Sequence, residues 1–144
     1  MPSHRYLRAY MAGLVAPSVV VLLVSLAVAA GFSRIRPDVV QVMLFPAAIN
    51  PAAWGAWNAL YVALPAHWRL PIGWHGAVLP LLLVPLGVAL AHVLHVSFVT
   101  PWRAAAVTPP VVVAYYVLWK YVVRFLNGVL EIEPRQRMTL GAAS

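Results

Sequence analysis

The chain has 144 residues, of which 63% are hydrophobic and 9% charged, whereas soluble domains carry nearer ~25% charged residues. So few charges cannot make a water-facing surface, and lipid is the implied solvent. The formal charge of +7 sits in ones and twos beside apolar runs, which reads as topology signal and headgroup contact. It does not form the basic, aromatic-interleaved stripe of a nucleic-acid binder. Cysteine is absent, which rules out disulfides, thiolate metal sites and cysteine nucleophiles.

The first apolar run, residues 10–32, holds only Ser18 and Ser25 as clearly polar residues and is longer than a ~30 Å hydrocarbon core requires. With Arg5 and Arg8 before it and Ala27-Val28-Ala29 near its end, it also has features of a secretory leader. It exceeds the usual ~7–15-residue apolar region of one, so a spanning helix is the expectation. A second run, residues 39–64, is interrupted by Pro46, Asn50 and Pro51. Asn caps free backbone N–H groups and proline tolerates the first helical position, so the pattern predicts a new helix starting at Asn50, with residues 39–49 either completing a kinked or broken span or lying at the interface.

Residues 65–74 form a loop with Arg69, Pro71 and Gly73, flanked by Trp68 and Trp74 at the expected headgroup level. The third span is expected over 76–98, bent at Pro80 and Pro85. Residues 100–103 turn the chain, Thr108 before Pro109 and Pro110 resembles a cap, and the fourth span covers 104–121. Trp102 and Trp119 lie about 25 Å apart along such a helix, so each is expected in one aromatic belt, with Lys120 snorkelling to the surface. Residues 121–133 read as an amphipathic continuation, with Arg124, Asn127 and Glu131 on one side and Val122, Phe125, Leu126 and Val129 on the other. Pro134 is expected to end it, and residues 134–144 form a polar tail.

The fold class is therefore an all-α integral membrane bundle, a single membrane domain over residues 1–133 with four transmembrane helices. Counting basic residues on alternate sides gives seven (Arg5, Arg8, Arg69, Lys120, Arg124, Arg135, Arg137) against three (Arg34, Arg36, Arg103). Both termini are then expected in the cytoplasm. A composition rich in alanine, valine, proline and arginine, with one lysine, points to a bacterial inner membrane.

Chemistry concentrates on the second segment. Asn50, Trp54, Trp57, Asn58 and Tyr61 fall within about 100° of one helical face, and in lipid such polar groups turn toward other helices or a wet cavity. The plain reading is interhelical hydrogen bonding; the functional one is a site for a small polar or lipid-like ligand. His92 and His95, at i and i+3, are the candidate metal or haem ligands, although no acidic residue lies within a span to complete a metal site and bis-His haem ordinarily draws on two helices. No cofactor is otherwise expected. Ala27 with Gly31 and Gly87 with Ala91 have the spacing of close helix contacts. Asp38, Glu131 and Glu133 are the only carboxylates, and all lie outside the apolar cores. Without paired carboxylates, a Gly-rich phosphate loop or a serine elbow, the inventory for enzymatic chemistry is poor. The sequence thus points to a non-catalytic component of a membrane assembly, partnered by lipid and by other membrane subunits or copies of itself. The alternatives are a small carrier for a polar solute or lipid, and a haem-bearing electron carrier.

Overall fold

The computed structural model describes residues 3–30, 37–93 and 100–132, with side chains placed for 4–27, 30, 49–93 and 100–132. The elements are α1 (Ser3–Ala29), α2 (Pro37–Ala63), a short 3-10 turn (Ala66–Trp68), α3 (Ile72–Val93), α4 (Pro101–Leu118), a π-helical segment (Trp119–Val123) and α5 (Arg124–Val129). There is no strand among the described residues. Three stretches are long and apolar enough to cross a bilayer: His4–Ala27, Ile72–Val93 and Pro101–Val129. The protein is an all-α membrane bundle. α2 matches α1 at 27 residues, about 40 Å of helix.

α1 and α2 run antiparallel, and small residues set how closely they approach. Ala9 and Ala12 are fully buried, and a Cβ on Gly13 would meet the backbone of Trp54 and Gly55. A Cβ on Gly55 would in turn strike Tyr10. Opposite that face, Leu7, Met11, Val15, Val19 and Leu22 are exposed, as a lipid-facing stripe should be. The second pair is α3 with α4, seated on two other glycines. Gly73 lies under the Tyr116 ring, and a Cβ on Gly76 would fall inside Trp119.

The two pairs join at one end of the bundle. Arg5 Nε donates to the Ile132 carbonyl at 3.1 Å and Arg8 Nη1 to that of Leu130 at 3.3 Å. The start of α1 therefore lies beside the end of α5. At the same end Arg69 folds back on α2, its Nε donating to the Leu64 carbonyl at 2.7 Å and Nη2 to that of Val62 at 2.8 Å. Its guanidinium thus satisfies carbonyls that a helix C-terminus leaves without donors.

Several elements depart from the sequence expectations. α2 passes through Asn50 and Pro51 without a break. A proline removes one backbone bond, which a membrane helix tolerates, and the Asn50 amide is engaged by another helix instead of capping. α3 begins at Ile72 and α4 at Pro101, both ahead of the expected starts. Thr100 occupies the N-cap position without a side-chain cap bond. Thr108 caps nothing; its Oγ1 donates back to the Ala104 carbonyl at 2.7 Å, one turn earlier. Gly87 packs against nothing within 4 Å, whereas Ala91 is buried; Gly31 lies outside the described residues.

The C-terminal extension is helical, but its sides are distributed differently from the expectation. Asn127 is 1% exposed, while Tyr121, Phe125 and Val129 are exposed. Against lipid, apolar side chains lose nothing by facing out, so the polar residue seeks the interior. The helix stops before Pro134. Ile132 N–H bonds the Asn127 carbonyl at 3.0 Å and Glu131 N–H that of Gly128 at 3.3 Å. This is the Schellman pattern, with Glu131 at φ 51° where glycine is usual. Buried Ile132 anchors the turn against Ala9, Ala12, Tyr61 and Val62.

Candidate functional site

The residues of the α2 stripe converge on a single buried seam between the two helix pairs. At its deepest point Asn58 and Asn127 face one another. Asn58 Nδ2 donates to Asn127 Oδ1 at 2.8 Å, and Asn127 Nδ2 donates back to Asn58 Oδ1 at 3.1 Å. Asn58 Nδ2 also donates to the Ala9 carbonyl at 2.7 Å. Both amides are sealed, at 0% and 1% exposure, so one pair of side chains ties α1, α2 and α5 together.

One turn earlier along α2, Trp54 is buried between Tyr115, edge-on at 4.8 Å, and Trp119 at 5.5 Å. A turn further back, Tyr115 Oη donates to Asn50 Oδ1 at 2.7 Å. Thus Asn50, Trp54 and Asn58 meet Tyr115, Trp119 and Asn127 in order, as in two parallel helices. The π segment makes this register possible. In a plain α-helix Asn127 would stand ~120° around the axis from Tyr115. One extra residue in a wide turn brings the two to within ~20°.

Trp57 and His75 form the second half of the seam. Trp57 Nε1 donates to the His75 carbonyl at 2.9 Å, and His75 Nε2 lies 3.2 Å from the Trp57 carbonyl. A carbonyl only accepts, so this contact places the ring proton on Nε2. The two rings stack at 4.9 Å, with Tyr61 at 5.0 Å and Trp119 at 5.7 Å closing the imidazole in. His75 is buried. Among the described residues the Trp119 indole N–H is buried without a hydrogen-bond partner.

All five stripe residues named from the sequence are brought together here. His75, Tyr115, Trp119 and Asn127, which complete the seam, were not expected in it. Trp119 is 0% exposed, a core ring and not an interfacial anchor, because Gly76 leaves room for it against α3. Trp68, Trp74 and Trp102 are exposed at 72%, 59% and 69%. Lys120 sits over the rings of Tyr116 and Tyr121, at 5.5 and 5.4 Å. His92 is exposed at the end of α3 and His95 lies outside the described residues.

No three His, Asp or Glu side chains converge among the described residues, and the one carboxylate with a described side chain, Glu131, is exposed. The means available to the seam are therefore hydrogen bonding and aromatic packing. No family model, curated protein or solved structure matches the chain.

Proposed function

We propose that the protein is a non-catalytic component of a membrane assembly, and that its polar stripe holds the bundle together. The observation that carries this reading is that Asn50, Trp57 and Asn58 each spend their side-chain hydrogen bonds on another helix. Trp54 is filled in by aromatic neighbours. A carrier using the same face would need a cavity where these side chains pack. What remains for other molecules is the outer surface, where Leu22, Leu23, Leu82, Leu86 and Val113 are all exposed.

The described basic residues favour one orientation. Arg5, Arg8, Arg69, Lys120 and Arg124 gather at the end where α1 starts and α5 finishes, and Arg103 lies at the other. The positive-inside bias then puts both termini in the cytoplasm, of a bacterial inner membrane by composition. Extraction into native-like lipid particles followed by light scattering tests the assembly role. The expected particle exceeds one chain plus lipid and contains partners or copies; a strictly monomeric species contradicts it.

A further inference from the structure

The face formed by Lys120, Tyr121, Arg124, Phe125, Gly128 and Val129 takes no part in the seam. These residues line a shallow, wide-open depression on the helix surface. They lie in two parallel rows at i, i+4 and i+8 along the helix. Lys120, Arg124 and Gly128 make one row; Tyr121, Phe125 and Val129 make the other. Gly128 leaves open space beside the helix backbone, since a Cβ there would meet nothing within 4 Å. Tyr121, Phe125 and Val129 are 62%, 67% and 59% exposed. Among the described residues Arg124 has no hydrogen-bond or ion-pair partner, and the Lys120 ammonium lies over the Tyr116 and Tyr121 rings.

Depth identifies the occupant. Pro101–Val129 has 29 residues, about 43 Å of helix against a hydrocarbon core of ~30 Å. With exposed Trp102 in one aromatic belt, hydrocarbon ends about 20 residues later, close to Lys120. Exposed Trp74, edge-on to Tyr116 at 5.2 Å, marks the same level. The cationic row therefore stands at phosphate height, while the aromatic row begins where acyl chains end.

We propose that this depression is a binding site for an anionic phospholipid. The phosphodiester lies between the Lys120 ammonium and the Arg124 guanidinium, the headgroup lies over Phe125 and Gly128, and the first acyl methylenes run from Tyr121 toward exposed Val117. Charge complementarity selects an anionic lipid over a zwitterionic one, and the apolar row selects a lipid over free phosphate. The site does not depend on the assembly role, because it lies on one helix of a single chain.

Native mass spectrometry of the full chain in neutral detergent, titrated with dioleoyl phosphatidylglycerol and dioleoyl phosphatidylcholine, tests it. Each basic group near an anionic lipid surface contributes about fivefold, so phosphatidylglycerol should be retained about thirtyfold better. Lys120→Gln with Arg124→Gln should bring that ratio close to one, while Lys120→Arg with Arg124→Lys keeps it. Gly128→Leu places a bulky side chain one turn beyond Arg124 without altering charge and should weaken retention. Arg103→Gln, which removes one positive charge at the opposite end, serves as the control and should change nothing. Tryptophan fluorescence identifies any variant whose fold has changed. Equal retention of the two lipids overturns the proposal, as does selectivity that survives in the double glutamine variant. A dimer abolished by Gly128→Leu, without lipid selectivity, also overturns it by assigning the face to a second copy of the chain.

Discussion

Replacing Asn58 by leucine removes two donated bonds and one accepted bond, and leaves the Asn127 amide in a site that is 1% exposed. Interhelical side-chain hydrogen bonds in membranes average about 0.6 kcal/mol and reach about 1.7. A buried polar group left without a partner costs a further ~1–3 kcal/mol. Asn58→Leu should therefore destabilise the bundle by about 3 kcal/mol. Asn127→Leu should cost less, about 2 kcal/mol, because Asn58 keeps its bond to the Ala9 carbonyl. The double leucine variant removes both amides and strands neither, so it should cost only about 1–2 kcal/mol, less than the two singles together. Reversible unfolding in mixed micelles, followed by tryptophan fluorescence, supplies all three values. A coupling of about 3 kcal/mol is expected. Additive losses would refute the reciprocal pair and imply that each amide faces something other than its partner.

Glycine substitutions should divide sharply. Gly76→Ala drives a methyl group into the Trp119 ring and should cost about 3 kcal/mol in the same unfolding assay, whereas Gly87→Ala meets open space and should gain about 0.5–1 kcal/mol through helix propensity. Glu131→Gly relieves a left-handed residue at the Schellman turn and should stabilise by about 1 kcal/mol; a loss would mean the Glu131 side chain makes a contact that outweighs the strain. Arg69→Ala strips the donors from the Leu64 and Val62 carbonyls and should cost about 1–2 kcal/mol, with faster hydrogen exchange confined to the last turn of α2.

The apolar runs of α1, α3 and α4 were legible because lipid demands length and composition that nothing else in a small chain provides. The inward face of α2 was legible for a related reason, since amides and indoles at helical spacing must find partners in hydrocarbon. The identity of those partners was not. Asn50, Trp54 and Asn58 meet residues 65 to 69 positions away, and the match at Asn127 depends on a π turn that shifts its register by about one residue. No local motif announces that turn.

Helix boundaries were misread where rules from soluble proteins carried over. Pro46, Pro51, Pro109 and Pro110 are helix openers or breakers in water, yet all lie inside helices here. The same carry-over grouped Asn127 with exposed Arg124 and Glu131, because it sorts polar residues onto one side, whereas in lipid the Asn127 amide turns inward. The Gly73 and Gly76 seat was visible in principle as two small residues three apart at the start of an apolar run. Its meaning depends on Trp119 arriving from 43 positions later, and that is a tertiary fact. The end of the last helix was obscured because Glu131 takes a left-handed position that glycine usually marks, held there by burial of Ile132.

The most direct test of the assembly role is native mass spectrometry of the chain in nanodiscs formed from its own host membrane. It scores protein stoichiometry and bound small molecules in one spectrum. A stable complex with other subunits, or a defined homo-oligomer, is the predicted result. A monomer that retains one polar solute, and loses it on Asn58→Leu without loss of fold, would contradict it and return the α2 stripe to the role of a ligand site.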